Sequence, residues 1–251
     1  MDMMDAKPGT KQWLAADRDI LFVLTPEGRI ARENDSGRSP GPRFWLAGCA
    51  EGNVLCLAQG LAGEIAAQVE KLAADEPPCI DPETPPLHFE RYLALLAGHA
   101  PVASHNYGCI YDLPHGLAFD SGARLVGSDS EAGRGLLRHL TDNGLPAGLT
   151  EVGFGSAGDL RAPWCAALID GEIAAVAFAA RLGENGAELG IATAKAFRGR
   201  GFAAAAVAGW SGLPSLREHR LYYSHNAANL SSRQVTRRLG LRRAGVSLRI
   251  Y

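Results

Sequence analysis

Residues 188–203 read E-L-G-I-A-T-A-K-A-F-R-G-R-G-F-A, an apolar segment followed by a glycine-spaced turn and a helix-forming run. Gly199 and Gly201 let the backbone approach a ligand closely, because neither residue carries a Cβ. The first N–H groups of the helix that follows lack intrahelical partners, and the helix dipole favours negative charge at the same place. The stretch therefore predicts a strand, a tight loop and a helix N-terminus that suit a pyrophosphate. An ordinary tight loop is the alternative for a pattern this short.

A second motif lies near the C-terminus, where residues 229–241 read N-L-S-S-R-Q-V-T-R-R-L-G-L. Asn229 suits a helix N-cap, and Gly240 suits a helix end. Val235 and Leu239 stand four residues apart, so they share one helix face. Taken alone, the segment predicts a short amphipathic helix.

The two motifs, in this order and at this separation, resemble the GNAT superfamily of acyl-CoA-dependent N-acetyltransferases, over roughly residues 122–251. In that family R/Q-x-x-G-x-G/A binds the pyrophosphate of acyl-CoA, and the N-x-x-S helix contacts the pantetheine arm. The resemblance implies a mixed α/β fold with a central sheet flanked by helices, and acetyl-CoA as co-substrate. It implies cofactor contacts from a strand, the loop and the C-terminal helix, namely Ile191, Ala192, Thr193, Arg198, Gly199, Arg200, Gly201, Phe202, Ala203, Asn229 and Ser232.

The resemblance also suggests catalytic residues. Many family members keep a general base at the start of the strand before the loop, where this chain has Glu188; a solvent-facing strand carboxylate is the alternative. Many carry a tyrosine as general acid in the C-terminal helix, where this chain has Thr236. Tyr222 or Tyr223 on the neighbouring strand is the candidate substitute, and alternation along a strand sends the two to opposite faces. Protonation of the thiolate by solvent is the other possibility.

The strands can be inferred without the family. Residues 165–169 and 172–181 are two apolar runs separated by Asp170-Gly171, which is a strong hairpin signal. A second turn at Asn185-Gly186 leads to a strand at 188–193. A helix over 201–210 connects it to a strand at 220–224, which is predicted to run parallel to it. A strand at 123–126 and a helix at 130–144 precede these elements, and together they predict a mixed α/β sheet.

The N-terminal part, residues 1–119, is predicted to be a separate α/β module of unassigned role, and residues 120–251 the acetyltransferase-like domain. The predicted elements of the N-terminal module are strands at 44–50 and 53–59 and helices at 63–74 and 88–96. Residues 75–86 contain five prolines and predict an exposed connection inside the module. We call them the proline-rich connection.

Composition excludes several classes of function. No apolar run is long enough to span a membrane, and the acidic start Met-Asp-Met-Met-Asp is unlike a signal peptide. Five irregularly spaced cysteines favour reduced thiols in a cytoplasmic protein over a disulfide framework. The histidines share no metal-ligand spacing, so no metal is expected. The sequence does not indicate an oligomeric state.

The net charge of −2 is unevenly distributed, since from residue 195 to the end eleven Lys/Arg stand against one acidic residue. This end of the chain could bind nucleic acid. However, its basic residues form no recognised motif, and the acidic remainder would repel phosphate, so no nucleic-acid partner is expected. The sequence predicts an acetyl-CoA-dependent N-acetyltransferase that acts on an amine of a small molecule or peptide. A non-catalytic acyl-CoA-binding or regulatory module is the alternative.

Overall fold

A computed structural model of the chain describes residues 7–251, which form two compact units. The first unit comprises residues 7–112 together with residues 224–230 and 242–251. The second comprises residues 113–223 and 231–241. The acidic start of the chain, on which the absence of a signal peptide was argued, lies outside the described residues.

The first unit contains three helices and a four-stranded antiparallel sheet in the order β4-β3-β11-β5. A two-stranded antiparallel sheet, β1-β2, accompanies it. The elements are α1 (Lys11–Leu21), β1 (Phe22–Leu24), β2 (Ile30–Glu33), β3 (Phe44–Cys49), β4 (Gly52–Leu57), α2 (Gly63–Ala74), α3 (Phe89–His99), β5 (His105–Asp112) and β11 (Arg243–Ile250).

One hydrophobic core holds α2 and α3 against this sheet. Val69 of α2, Tyr92 and Leu96 of α3, and Phe44 of β3 are all completely buried in it. The apolar stripe predicted for residues 63–74 is therefore the buried face of α2, and the helix has the predicted bounds.

Side-chain hydrogen bonds fix the proline-rich connection to the first unit. The Asn53 amide donates to the carbonyls of Glu76 and Pro77 at 3.0 and 2.9 Å and accepts from the Cys79 N–H at 2.9 Å. The buried Glu76 carboxylate accepts from the backbone N–H of His88 and from the Tyr92 hydroxyl, each at 3.0 Å. These bonds satisfy polar groups that burial would otherwise leave unpaired.

The second unit is built on a five-stranded mixed sheet in the order β10-β9-β8-β7-β6. Only the β9–β10 pair is parallel. Its elements are β6 (Arg124–Gly127), α4 (Glu131–Asn143), α5 (Ala147–Thr150), β7 (Trp164–Ile169), β8 (Glu172–Leu182), β9 (Gly186–Thr193), α6 (Phe202–Ser211), β10 (Arg220–Asn226) and α7 (Leu230–Arg238). The final residues of β10 and Leu230 of α7 are assigned to the first unit.

Local signals in the sequence predicted these elements well. Asp170 and Gly171 both have positive φ, 50° and 84°, as the tight β7–β8 hairpin requires. The Ser130 hydroxyl accepts from the Gly133 N–H at 3.0 Å and caps α4. The predicted mixed α/β fold is confirmed, with β9 and β10 parallel and joined through α6.

Helix α6 lies close against the second sheet because its side chains are small. Ala204, Ala205 and Ala206 are buried there, and a Cβ on Gly209 would come within 2.5 Å of the Cys165 sulfur on β7. A larger residue at Gly209 would push the helix away from the strand. This close packing fixes the direction in which the N-terminus of α6 points.

Several elements of the first unit were not predicted. The sequence did not predict α1, the β1–β2 pair or β5, nor the partners of the final strand, β11. Strand β11 pairs with β3 on one side and β5 on the other, although both lie more than a hundred residues earlier. The predicted division at residue 119 lies close to residue 112, but the C-terminal contribution to the first unit was not foreseen.

Candidate active site

The loop between β9 and α6 has the backbone that its glycines allow. A short 3₁₀ turn at Lys195–Phe197 follows β9. Gly199 then has φ +79° and Gly201 φ +93°, a region that residues with side chains rarely adopt. Gly201 lies directly before Phe202, the first residue of α6. The glycines at these positions are therefore needed to bring the chain from β9 into α6.

The N-terminus of α6 presents backbone donors at the end of this loop. The first bond of the helix runs from the Ala205 N–H to the Gly201 carbonyl at 3.1 Å. The N–H groups of Phe202, Ala203 and Ala204 consequently have no acceptor within the helix. Together with the helix dipole they favour an anion at this point.

Three arginines surround the loop. Arg198 directs its Nε toward the Thr193 carbonyl at 3.5 Å. Arg200 lies over the rings of Phe197 and Phe202, with its guanidinium carbon 5.6 and 4.9 Å from their centroids. Arg238, from the last turn of α7, donates to the Gly199 carbonyl at 2.9 Å. Arg238 did not appear among the predicted site residues, because a basic residue on an amphipathic helix is typical of a solvated face.

The parallel pairing of β9 with β10 is short. Its register covers three pairs and ends at Tyr222 opposite Glu188. Strand β9 continues to Thr193 and stays paired with β8 over that length. Within the second unit, the edge of β9 at Ile191, Ala192 and Thr193 therefore extends beyond the part of β10 with which it pairs. This is the stretch that was predicted to contact the pantetheine arm.

Glu188 is buried, with 2% of its surface exposed, so the solvent-facing alternative for this residue is wrong. Tyr222 and Tyr223 are also buried, at 1% and 3%. Because Glu188 and Tyr222 are register partners, their side chains lie on the same face of the sheet, and that of Tyr223 lies on the opposite face. Of the two tyrosines, only Tyr222 shares a face with Glu188.

The two remaining candidates lie in and next to α7. Asn229 directly precedes the helix and is assigned to the first unit, while Ser232 lies in its first turn and is assigned to the second. Thr236, the residue at the place where the resemblance would put a tyrosine, is buried, and its hydroxyl donates to the Arg233 carbonyl at 2.9 Å. That bond occupies the only proton the side chain could donate.

The Lys195–Phe197 turn lines one wall of a cavity of 580 Å³. The last turns of α4, the α4–α5 loop, the β7–β8 turn and Ala194 line it, and Glu151 and Lys195 form an ion pair at 3.8 Å beside it. Ala194 follows Glu188 by six residues, roughly 20 Å along an extended strand. The cavity is therefore remote from Glu188.

Three further findings concern the Cys165 thiol, clusters of metal-ligating side chains and membrane-spanning helices. Burial raises the pKa of the Cys165 thiol to about 12, so this thiol stays protonated and is a poor nucleophile. Among residues 7–251, no group of three or more His, Cys, Asp or Glu side chains is placed to hold a metal ion. In the same part of the chain, no helix is both long and apolar enough to cross a membrane.

Several solved structures resemble this one at low sequence identity. An acetyltransferase of the GNAT family from Novosphingobium aromaticivorans is 21% identical, with a TM-score of 0.41, over 80% of this chain and 84% of that chain. A GCN5-related N-acetyltransferase-like protein from Streptococcus suis is 17% identical, with a TM-score of 0.41, over 86% of each chain. A tandem GNAT protein of the clavulanic acid biosynthesis pathway is 16% identical, with a TM-score of 0.40, over 86% of this chain and 80% of that chain.

No curated protein matches this sequence. The sequence model of the GNAT acetyltransferase family matches residues 163–246, about a third of the chain. This match begins just before β7 and ends within β11. It therefore includes the paired part of β9 and β10, the glycine loop, α6 and α7. Residues 163–246 thus carry the GNAT acetyltransferase match, and a further N-terminal domain precedes these residues.

Proposed function

We propose that the protein transfers an acetyl group from acetyl-CoA to an amine of a small molecule or peptide by direct attack. One observation carries this proposal. The pairing of β9 with β10 ends at Glu188, and β9 then continues into the two-glycine loop and the N-terminus of α6. A thioester bound where the β9–β10 pairing ends and a pyrophosphate bound at the loop would then both lie along β9.

The proposed phosphate contacts are the residues of the loop and the first turn of α6. Backbone N–H groups from Gly199 to Ala203 supply donors, and the helix dipole adds partial positive charge. Arg198 and Arg200 supply positive charge near the same point, which favours a ligand with several phosphate charges. Ser232 and Asn229, at the start of α7, are the proposed contacts from the second motif.

The proposed pantetheine contacts are backbone groups at the edge of β9. The amide groups of pantetheine can pair with Ile191, Ala192 and Thr193 as an added strand would. This arrangement uses main-chain hydrogen bonds alone, so it does not depend on the side chains there. It also orients the thioester toward the Glu188 end of the strand.

We assign Glu188 as the general base and Tyr222 as the general acid. An amine must be neutral to attack a thioester carbonyl, and a carboxylate at the strand start can take its proton directly or through a water. Tyr222 lies on the same sheet face as Glu188 and can supply a proton to the leaving thiolate, whereas Tyr223 lies on the opposite face. Both Glu188 and Tyr222 are buried, which strengthens their electrostatic effect on a reacting group.

The distribution of charge along the chain supports a cationic acceptor, and the cysteines support a reducing compartment. Residues before Lys195 carry the excess of negative charge, which favours a cationic amine over a nucleic acid. None of the five cysteines forms a disulfide, which favours a reducing compartment such as the cytoplasm. No side chain in the second unit narrows the acceptor further than an amine.

The proposal is tested by detecting free thiol while acetyl-CoA is incubated with a panel of amines and amino-terminal peptides. We expect thiol release that depends on an amine and saturates with acetyl-CoA. Mass spectrometry of the acceptor should show an added acetyl group. Binding of acetyl-CoA without turnover on any member of a broad panel would contradict the catalytic proposal.

A non-catalytic acyl-CoA-binding role is the second candidate, and one observation favours it. Thr236 stands where many relatives of this superfamily carry a tyrosine, and its hydroxyl is engaged with the Arg233 carbonyl. In this case acetyl-CoA should raise the melting temperature while no amine promotes thiol release. The two measurements together separate the two candidates.

A further inference from the structure

Arg238 lies against both glycines of the phosphate loop, although it is some forty residues away in the chain. Its Nη2 donates to the Gly199 carbonyl at 2.9 Å. A Cβ built on Gly201 would lie 3.6 Å from its Nη1, so the guanidinium also borders Gly201. Arg238 is the last residue of α7, and it is exposed.

This contact determines how one peptide of the loop is turned. A trans peptide is planar, so the Gly199 carbonyl and the Arg200 N–H point in opposite directions. When Arg238 holds the carbonyl on its side, the Arg200 N–H must point to the other side. A turn of this peptide changes ψ of Gly199 and φ of Arg200, and glycine leaves the first of these angles free. Without Arg238, the carbonyl oxygen could therefore turn more readily toward a bound anion.

The other two arginines of the loop make different contacts. Arg200 lies over the rings of Phe197 and Phe202, and Arg198 is directed toward the Thr193 carbonyl. Neither contact holds the Gly199 peptide. Arg238 is thus the side chain that can fix the orientation of the loop backbone before a ligand arrives.

We propose that Arg238 is a positioning residue of the acyl-CoA phosphate loop, which it orders through the Gly199 carbonyl while adding a positive charge beside the ligand. This inference rests on the proposed acetyl-CoA binding. It connects the two sequence motifs physically, since a side chain from the second motif sets the backbone of the first. It also gives α7 a role in cofactor binding that does not depend on having a tyrosine at position 236.

The test compares Arg238→Ala, Arg238→Lys and the matched control Arg237→Ala. Arg237 is the exposed neighbour on the same helical turn, so its removal changes the net charge equally. The acetyl-CoA dissociation constant is measured by calorimetry at low and high salt, and kcat is measured at saturating acetyl-CoA. We expect Arg238→Ala to weaken binding about ten- to hundredfold, as for loss of a charge-assisted hydrogen bond.

Arg238→Lys keeps the charge but loses the forked donor, so it should recover part of the affinity. The salt dependence of binding should become shallower in Arg238→Ala, whereas it should keep the wild-type slope in Arg238→Lys. The melting temperature without ligand and kcat at saturation should stay within error of wild type in all three variants. A purely structural role for Arg238 would not produce this pattern.

The outcomes are distinguishable. If Arg238→Ala binds acetyl-CoA as tightly as Arg237→Ala, the positioning role is refuted while the proposed function stands. If wild type itself binds no acetyl-CoA, both the proposed function and this inference fail. If Arg238→Ala lowers the melting temperature of the ligand-free protein well below that of Arg237→Ala, Arg238 stabilises the fold and the inference is overturned.

Discussion

Replacing Gly201 with aspartate should remove acetyl-CoA binding and leave the rest of the protein folded. Gly201 has φ +93°, and a Cβ there would lie 3.2 Å from the Phe119 ring. The carboxylate would also place negative charge next to the expected pyrophosphate. The substitution therefore acts on backbone geometry and on charge at the same point.

The two expected effects differ in size and can be measured separately. A residue with a side chain in the left-handed region costs roughly 1–2 kcal/mol, so the ligand-free variant should lose about that much stability. Acetyl-CoA at a hundredfold excess over its dissociation constant should stabilise wild type by about 2.7 kcal/mol. For a domain of this size that corresponds to roughly 5–10 °C in melting temperature. In Gly201→Asp this ligand-dependent shift should disappear.

The assay is thermal unfolding with and without acetyl-CoA, and the matched control is Gly153→Asp. Gly153 has φ +102° in the same unit, and a Cβ there would meet nothing within 4 Å. The control therefore introduces similar backbone strain and the same charge away from the loop, and it should keep the full ligand shift. A wild-type shift in Gly201→Asp would refute the assignment of the loop, and loss of the shift in Gly153→Asp would attribute the effect to strain alone.

Three further predictions concern catalysis, architecture and reactivity. Glu188→Gln should lower kcat by about 10²–10⁴ with little change in acetyl-CoA affinity, and the loss should shrink at high pH where more amine is neutral; full activity in Glu188→Gln together with loss in Tyr222→Phe would show that solvent removes the proton. Asn53→Ala should speed limited proteolysis within the proline-rich connection, since three hydrogen bonds to it are lost; clean rapid cutting of wild type there into two stable fragments would contradict an ordered connection. Burial raises the pKa of Cys165 to about 12, so iodoacetamide at pH 8 should label it only after unfolding in urea, and rapid labelling of the native protein would contradict the burial.

Local patterns in the sequence predicted the second unit well because its signals act over short distances. The Asp170-Gly171 turn needs positive φ at two adjacent residues, and the neighbouring apolar runs can pair only through that turn. The glycines of the loop between β9 and α6 and the alanine-rich helix after it are likewise adjacent in the chain. A run of this kind restricts its own backbone, so the β9–loop–α6 arrangement could be predicted without any tertiary information.

The first unit was harder to predict since its main sheet joins distant segments. The β11 strand, Arg243–Ile250, lies between β3 and β5, and no turn or spacing in its own residues specifies those partners. Six of its eight residues are buried, and that burial requires both neighbouring strands to be in place. The sequence therefore places a final strand in the acetyltransferase-like domain, and the structure places it in the first unit.

The sequence alone predicted the family, the loop between β9 and α6 and the candidate site residues, because each of these predictions depends on neighbouring residues. Tertiary structure decided that Glu188 is buried, that Tyr222 shares its face, and that Arg238 holds the Gly199 carbonyl. Each of these facts depends on register or contact between segments tens of residues apart. The free energy that selects such contacts comes from packing the whole sheet and its helices, and no local stretch of sequence contains it.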